Sequence, residues 1–229
     1  MEYSIGDKMV LALEESYTYD EPSRISVYAT STLLNAPSPK EDKGIESSVM
    51  KPEYQFDTRD KDRRRKILTK AAWYLNNTAI FACTTDGCLL KYDLKGELLG
   101  MVQAHESNVE IKSFTFSKDY SIVATAAVNG CKVFDPETFQ LLKVFKQELP
   151  MNSVSISPLF CSESNPKYHL IIAGGIPARE SALTGGSAGF DIILCNVMYE
   201  KELGSIPGHF SPINSIEFFP DGRGFITGS

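Results

Sequence analysis

A pattern returns along this 229-residue chain at intervals of about 40 residues, and a repeat of that length constrains the fold more than any other feature. Four stretches align: residues 71–105, 113–146, 153–209 and 215–229. Asp86-Gly87 returns 43 residues on as Asn129-Gly130, and Tyr92-Asp93 returns 42 residues on as Phe134-Asp135. Ser113 returns 40 residues on as Ser153. Cys88 and Cys131 hold one repeat position, each just after the turn glycine.

Inside each unit the residues read as short strands. In SFTFSKDYSIVATA (113–126) apolar residues alternate, a polar turn intervenes and a β-branched run follows. Asp86-Gly87 and Asn129-Gly130 are expected to form type I′ hairpin turns, which need positive φ at both central residues. A third strand ends in aromatic-Asp, at Tyr92-Asp93 and Phe134-Asp135, and a fourth follows a turn at 97–102, 141–145 and 201–206. Helical periodicity is nearly absent. Four short strands in every repeat are the pattern of propeller blades.

The punctuation is that of WD40 repeats, which carry Gly-His at the blade junction and Trp-Asp after the third strand. Gly208-His209 is intact, His105 follows Ala104, and Tyr92-Asp93 and Phe134-Asp135 replace Trp-Asp. His105 is expected to bond Asn129 in the next tight turn. The expected fold is all-β, a WD40 β-propeller region with about three complete and two partial four-stranded blades. The boundaries are a partial blade at 1–35, a polar loop at 36–66, blades at 67–103, 111–146 and 152–207, and a partial blade at 215–229. Within the polar loop, Tyr54–Phe56 reads as a pairing segment. The long third unit carries its surplus in 161–168 and in the Gly/Ser/Ala loop 176–189.

Composition removes several classes of function. The formal net charge is −6, so no global field draws the chain to nucleic acid or anionic lipid. No run of about 18 apolar residues offers a membrane span, and the N-terminal residues lack the pattern of a secretory signal. The five cysteines, Cys83, Cys88, Cys131, Cys161 and Cys195, form no C-x-x-C pair. They read as reduced, buried thiols of a cytoplasmic protein.

Catalytic readings are weak. Gly185-Gly186-Ser187-Ala188-Gly189 matches G-x-S-x-G, and Asp191 and His209 follow in hydrolase order. A nucleophile elbow needs a helix after the serine, whereas Phe190–Leu194 is strand material, so a flexible loop is expected. His105 and His209 as bases or metal ligands are disfavoured because no Cys, Asp or Glu stands at ligand spacing to them. No phosphate-cradling glycine motif occurs. The basic cluster Arg63-Arg64-Arg65-Lys66 has Asp57, Asp60 and Asp62 beside it, which makes a solvated loop the expectation and direct RNA contact the lesser alternative. No catalytic residue, cofactor or metal is therefore expected, and the rigid blades are expected to act by presenting loops to other proteins.

Residues 132–158 and 204–228, above all GHFSPINSIEFFPDG (208–222), resemble subunit I of eukaryotic translation initiation factor 3, a seven-bladed WD40 propeller. AHESNVEIKSFTFSKDYSIVATA (104–126) is similar to the preceding blade of that family. The family's Gly-Gly-Gly-Gln-Glu-Ala loop reads here as Ala173-Gly174-Gly175-Ile176-Pro177-Ala178. The resemblance implies a non-catalytic scaffold in the factor that loads the small ribosomal subunit with mRNA. It also implies contacts to the b and g subunits and an indirect link to the ribosome. Glu148, Arg179 and Glu180 are the candidate partner-binding residues. Asp86, Tyr92, Asp93, His105, Asn129, Phe134, Asp135 and His209 are the candidate structural repeat positions. The alternative is a WD40 adaptor of a signalling or SMN-type complex.

Against a seven-bladed family the chain reads as shortened at both ends, leaving an open arc. Alone it is then expected to expose edge strands and to self-associate. Sedimentation velocity with thermal melting tests this, and a monodisperse, cooperatively melting monomer counts against it.

Overall fold

Short strands satisfy their backbone donors and acceptors by pairing with one another. In the structure, a computed structural model, the described residues form 18 strands that do so. The described residues are 1–14, 23–31, 51–58, 66–159, 168–176 and 189–229. Each sheet is antiparallel or a plain meander in chain order. The chain divides into two compact units, Met1–Ala82 with Leu90–Met101, and Cys83–Leu89 with Val102–Ser229.

The first sheet comprises β1 (Glu2–Tyr3), β2 (Met9–Glu14), β3 (Arg24–Ala29) and β4 (Tyr54–Asp57). The sequence gives reason to expect only a partial blade over 1–35, yet this sheet has four strands. Its fourth comes from the segment expected as a polar loop, where Arg24–Val27 pair with Asp57–Tyr54. Two interactions explain the pairing. Arg24 lies between Asp57 (3.2 Å) and Glu14 (3.8 Å), bridging three neighbouring strands on an exposed face, a modest contribution. Phe56 supplies the larger one, with its ring 5.5 Å from that of Tyr92.

The second sheet is β5 (Leu68–Tyr74), β6 (Ala79–Thr84), β7 (Cys88–Tyr92) and β8 (Leu98–Gln103). Its β6, AIFACT, is buried at all six residues, as a strand covered on both faces must be.

The second unit carries β9 (Ile111–Phe116), β10 (Val123–Ala127), β11 (Gly130–Phe134) and β12 (Leu141–Phe145), then β13 (Met151–Ile156), β14 (His169–Gly174), β15 (Ile192–Asn196) and β16 (Lys201–Ile206), and finally the pair β17 (Ser215–Phe218) and β18 (Phe225–Gly228). The period-2 alternation of a strand divides β14 between two cores. Leu170 and Ile172 pack with Ala124, Val133 and Phe145 of the β9–β12 sheet. Ile171 and Ala173 pack with Ile213 and Ile216 on the other side. The last strand of each of these sheets lies at its edge, and β16 is exposed along its whole length.

The hairpin turns depart from the expected type. Of the two dipeptides, positive φ falls on Gly87 (78°) and Gly130 (110°) but not on Asp86 or Asn129, so neither turn is type I′. Ala127 pairs with Gly130, which makes Val128 and Asn129 the central residues of the second turn. Side chains hold these turns instead: Thr84 donates its hydroxyl to Asp86, and Asn129 is held by His105. Gly130 is required for room, because a Cβ there would lie 2.2 Å from the carbonyl oxygen of Phe145.

Gly96 tests the placement of β4. Its φ is +85°, and an added Cβ would come within 2.4 Å of the Phe56 ring. Gly96→Ala is expected to destabilise the protein by about 2–4 kcal/mol through backbone strain and overpacking. Urea unfolding reads this as a lowered midpoint, and an unchanged midpoint would remove Phe56 from this position.

Candidate functional site

The repeat brings polar side chains together where one sheet hands over to the next. After β8 the backbone N–H of His105 donates to the carbonyl of Gly87 (3.0 Å), which anchors the imidazole against the following sheet. The residue is 2% exposed. Nδ1 lies 2.6 Å from Asn129 Oδ1 and Nε2 lies 2.8 Å from Thr125 Oγ1. A neutral ring satisfies both contacts: Nδ1–H donates to the amide oxygen, and Nε2 accepts from the threonine hydroxyl.

The surroundings enforce that neutral state. Burial pushes the His105 pKa down to about 4; the bond to Asn129 opposes this, and the Lys132 ammonium adds to it. Lys132 Nζ itself donates to the carbonyl of Ala104 (2.9 Å), one residue before the histidine. With both nitrogens engaged, this ring is a packing element with no lone pair left for a substrate or a metal.

His209 occupies the same place in the last repeat. It is half-buried, and its Nε2 lies 2.7 Å from Thr227 Oγ1. The threonine partners, Thr125 and Thr227, escaped the sequence reading. Their signal was present: each stands on the second strand after its junction histidine, 20 and 18 residues on.

The aromatic-Asp dipeptides divide their labour. Tyr92 and Phe134 are buried at 1% and 2% exposure. Asp93 accepts the N–H groups of Lys95 (2.9 Å) and Glu97 (2.7 Å), and Asp135 accepts those of Glu137 and Thr138. Each carboxylate thus shapes the turn from third to fourth strand. The third full repeat uses Asn196, whose Oδ1 accepts the N–H of Tyr199 (3.1 Å). This equivalence was missed because Cys195-Asn196 does not read as aromatic-Asp.

The hydrolase-like series does not take the form its motif requires. The residues after it form strand β15, Ile192–Asn196, where a nucleophile elbow needs a helix. Asp191 is exposed and His209 is bonded to Thr227. Ser187 lies outside the described residues, as do Arg179, Glu180, Cys161 and Arg63–Arg65. Among the described residues no group of three His, Cys, Asp or Glu side chains is placed to hold a metal.

Cys83, Cys88, Cys131 and Cys195 are buried. Burial raises the thiol pKa of Cys131 and, with the nearby Glu202 charge, pushes that of Cys195 up to about 12, so both are held as unreactive thiols. Glu148 stands exposed in the connection between β12 and β13. It is the one candidate partner-binding residue whose surroundings are described.

Comparison with known proteins agrees with this architecture. The family described as "WD domain, G-beta repeat" matches residues 200–229, and the four-stranded antiparallel sheets have the form of WD40-type propeller blades. Proteins named eukaryotic translation initiation factor 3 subunit I are similar along most of the chain. The protein of Lodderomyces elongisporus is 36% identical over 169 residues, covering 70% of this chain and 46% of the relative. That of Meyerozyma guilliermondii is 34% identical over 187 residues, covering 78% and 51%. That of Anopheles gambiae is 30% identical over 207 residues, covering 88% and 60%. The chain spans about half the length of the curated relatives it matches.

The buried imidazole makes stability depend on pH. The folded pKa of His105, about 4, lies below the ordinary histidine value of 6.5. Its stabilisation is therefore complete above pH 6.5, shrinks as pH falls through the window from 6.5 to 4, and is lost below. The loss amounts to roughly 3 kcal/mol. Asn129→Asp sets a carboxylate against Nδ1, raises the folded pKa and is expected to flatten that acid limb. Urea midpoints of the two proteins at pH 7, 5.5 and 4.5 measure the difference, and parallel pH profiles would refute the assignment.

Proposed function

We propose that this chain acts as a non-catalytic scaffold within the translation initiation factor 3 complex in the cytoplasm. In this reading it supports assembly of the preinitiation complex and mRNA recruitment to the small ribosomal subunit through protein–protein contacts. The observation that carries the reading is identity of 30% to 36% to proteins named subunit I of that factor, over 70% to 88% of this chain. The blades fit such a role. Their histidines are committed to packing, their thiols are buried, and variation is left to the connecting loops.

The proposed direct partners are the b and g subunits, with the ribosome reached only through them. Within the described residues, Glu148 is the proposed contact. Its carboxylate stands exposed beside Leu149-Pro150, whereas Leu149 packs against the core beneath. A rigidly held loop with one outward charge suits a basic partner surface.

Affinity purification of the tagged chain from eukaryotic extract is expected to recover the b and g subunits. Glu148→Lys is expected to reduce recovery of a directly bound subunit by about threefold to tenfold, the effect of removing one interface charge pair, with an unchanged melting temperature. Failure to recover either subunit would reject the scaffold assignment.

A further inference from the structure

The first strands of the last three sheets end at one place. Phe116 closes β9, Ile156 closes β13 and Phe218 closes β17, and together with Phe219 they line an open groove of about 470 Å³. A groove of that volume suits a bulky apolar side chain and its neighbours. It lies wholly within the second unit and shares no residue with the histidine junctions or with Glu148.

The charges at its two ends differ. Lys118, at the β9 end, is exposed and, among the described residues, has no ion-pair partner. Glu217, at the β17 end, is exposed and held by the hydroxyl of Ser155 (3.2 Å). The repeat shows that Lys118 is out of pattern. Two residues after each strand end stand Lys118, Pro158 and Pro220, all lining the groove. Two of the three copies place a rigid proline there, and the third places a cation over apolar floor.

We infer that this groove binds a short extended segment of a partner protein. The segment carries a bulky apolar side chain between an acidic residue, which pairs with Lys118, and a basic residue, which pairs with Glu217. The apolar floor provides the affinity and the opposed charges set the direction in which the segment lies. A nucleic acid is disfavoured, because Glu217 would face its phosphates.

The test uses the full chain and a fluorescein-labelled nonapeptide, Asp-Asp-Ser-Leu-Trp-Leu-Ser-Lys-Lys, read by fluorescence anisotropy. Two controls replace Leu-Trp-Leu by serines, or Asp-Asp by Lys-Lys. The mixed peptide is expected to bind at least tenfold more tightly than the serine control. Phe219→Ser, at a half-exposed position (48%), is expected to weaken it at least tenfold with an unchanged melting temperature. Lys118→Glu is expected to shift preference to the doubly basic peptide. Equal binding of the three peptides by the wild type, or a Lys118→Glu variant with wild-type preference, would overturn the inference.

Discussion

Everything in this fold follows from the inability of a four-stranded sheet of five- or six-residue strands to bury its apolar surface by itself. Such a sheet is marginal in water until something covers it, and in a stack of repeats each sheet is covered by its neighbours. The β14 strand makes the demand visible. Leu170 and Ile172 serve one core, and Ile171 and Ala173 the next. At roughly 25 cal/mol per Å² of apolar surface removed from water, burial on both faces is the dominant favourable term. The same geometry explains the poor burial of β16, which is the edge strand of its sheet and exposed at every residue.

Stacking sheets face to face leaves a second problem at their inner edges. The first strand of each sheet pairs on one side only, so its outward N–H groups need other acceptors. Between β13 and β17 serine hydroxyls meet that need. Ile216 donates to Ser153 Oγ (3.2 Å) and Phe218 to Ser155 Oγ (3.1 Å), while Asn152 donates to the carbonyl of Ile213 (3.1 Å). The junction histidine solves the related problem of the turn. Its two ring nitrogens tie the incoming chain to both the second strand and the tight turn of the next sheet. That turn carries an amide where a carboxylate would favour the charged ring, so nothing there offsets the cost of burying a charge and the imidazole is held neutral.

What the sequence shows of this depends on whether a feature repeats. The four-strand rhythm was legible, because Asp86-Gly87 and Tyr92-Asp93 return as Asn129-Gly130 and Phe134-Asp135. His105 and Asn129 stand at adjoining repeat positions, so their approach could be read from spacing. The turn type could not. An Asn-Gly pair favours type I′, and only the bond from Asn129 to a histidine 24 residues away makes the other backbone affordable. The fourth strand of the first sheet was legible as a pairing segment at Tyr54–Phe56, but its partner was not. Tyr54–Asp57 alternates like a strand, but its partner β3 lies across a long polar segment with no pattern. Ser153 is legible only as a repeat position, and it proves, with Ser155, to be an acceptor for β17.

A chain of repeats also carries its own comparison, one copy against the next. Where the copies keep one chemistry, folding explains it: Asp93, Asp135 and Asn196 all accept N–H groups of the turn that follows them. Where one copy departs while its backbone stays in place, folding gives no reason for the change. Pro158 and Pro220 stand where Lys118 does, and the strand before each ends the same way. A solvated ammonium contributes little to the stability of an exposed turn, so folding does not account for Lys118. The same reasoning separates Glu148 from the residues around it, since Leu149 is committed to the core and the carboxylate is not. Recognition is therefore to be sought at the non-repeating, exposed charges of the connections, and the strands between them serve to hold those charges still.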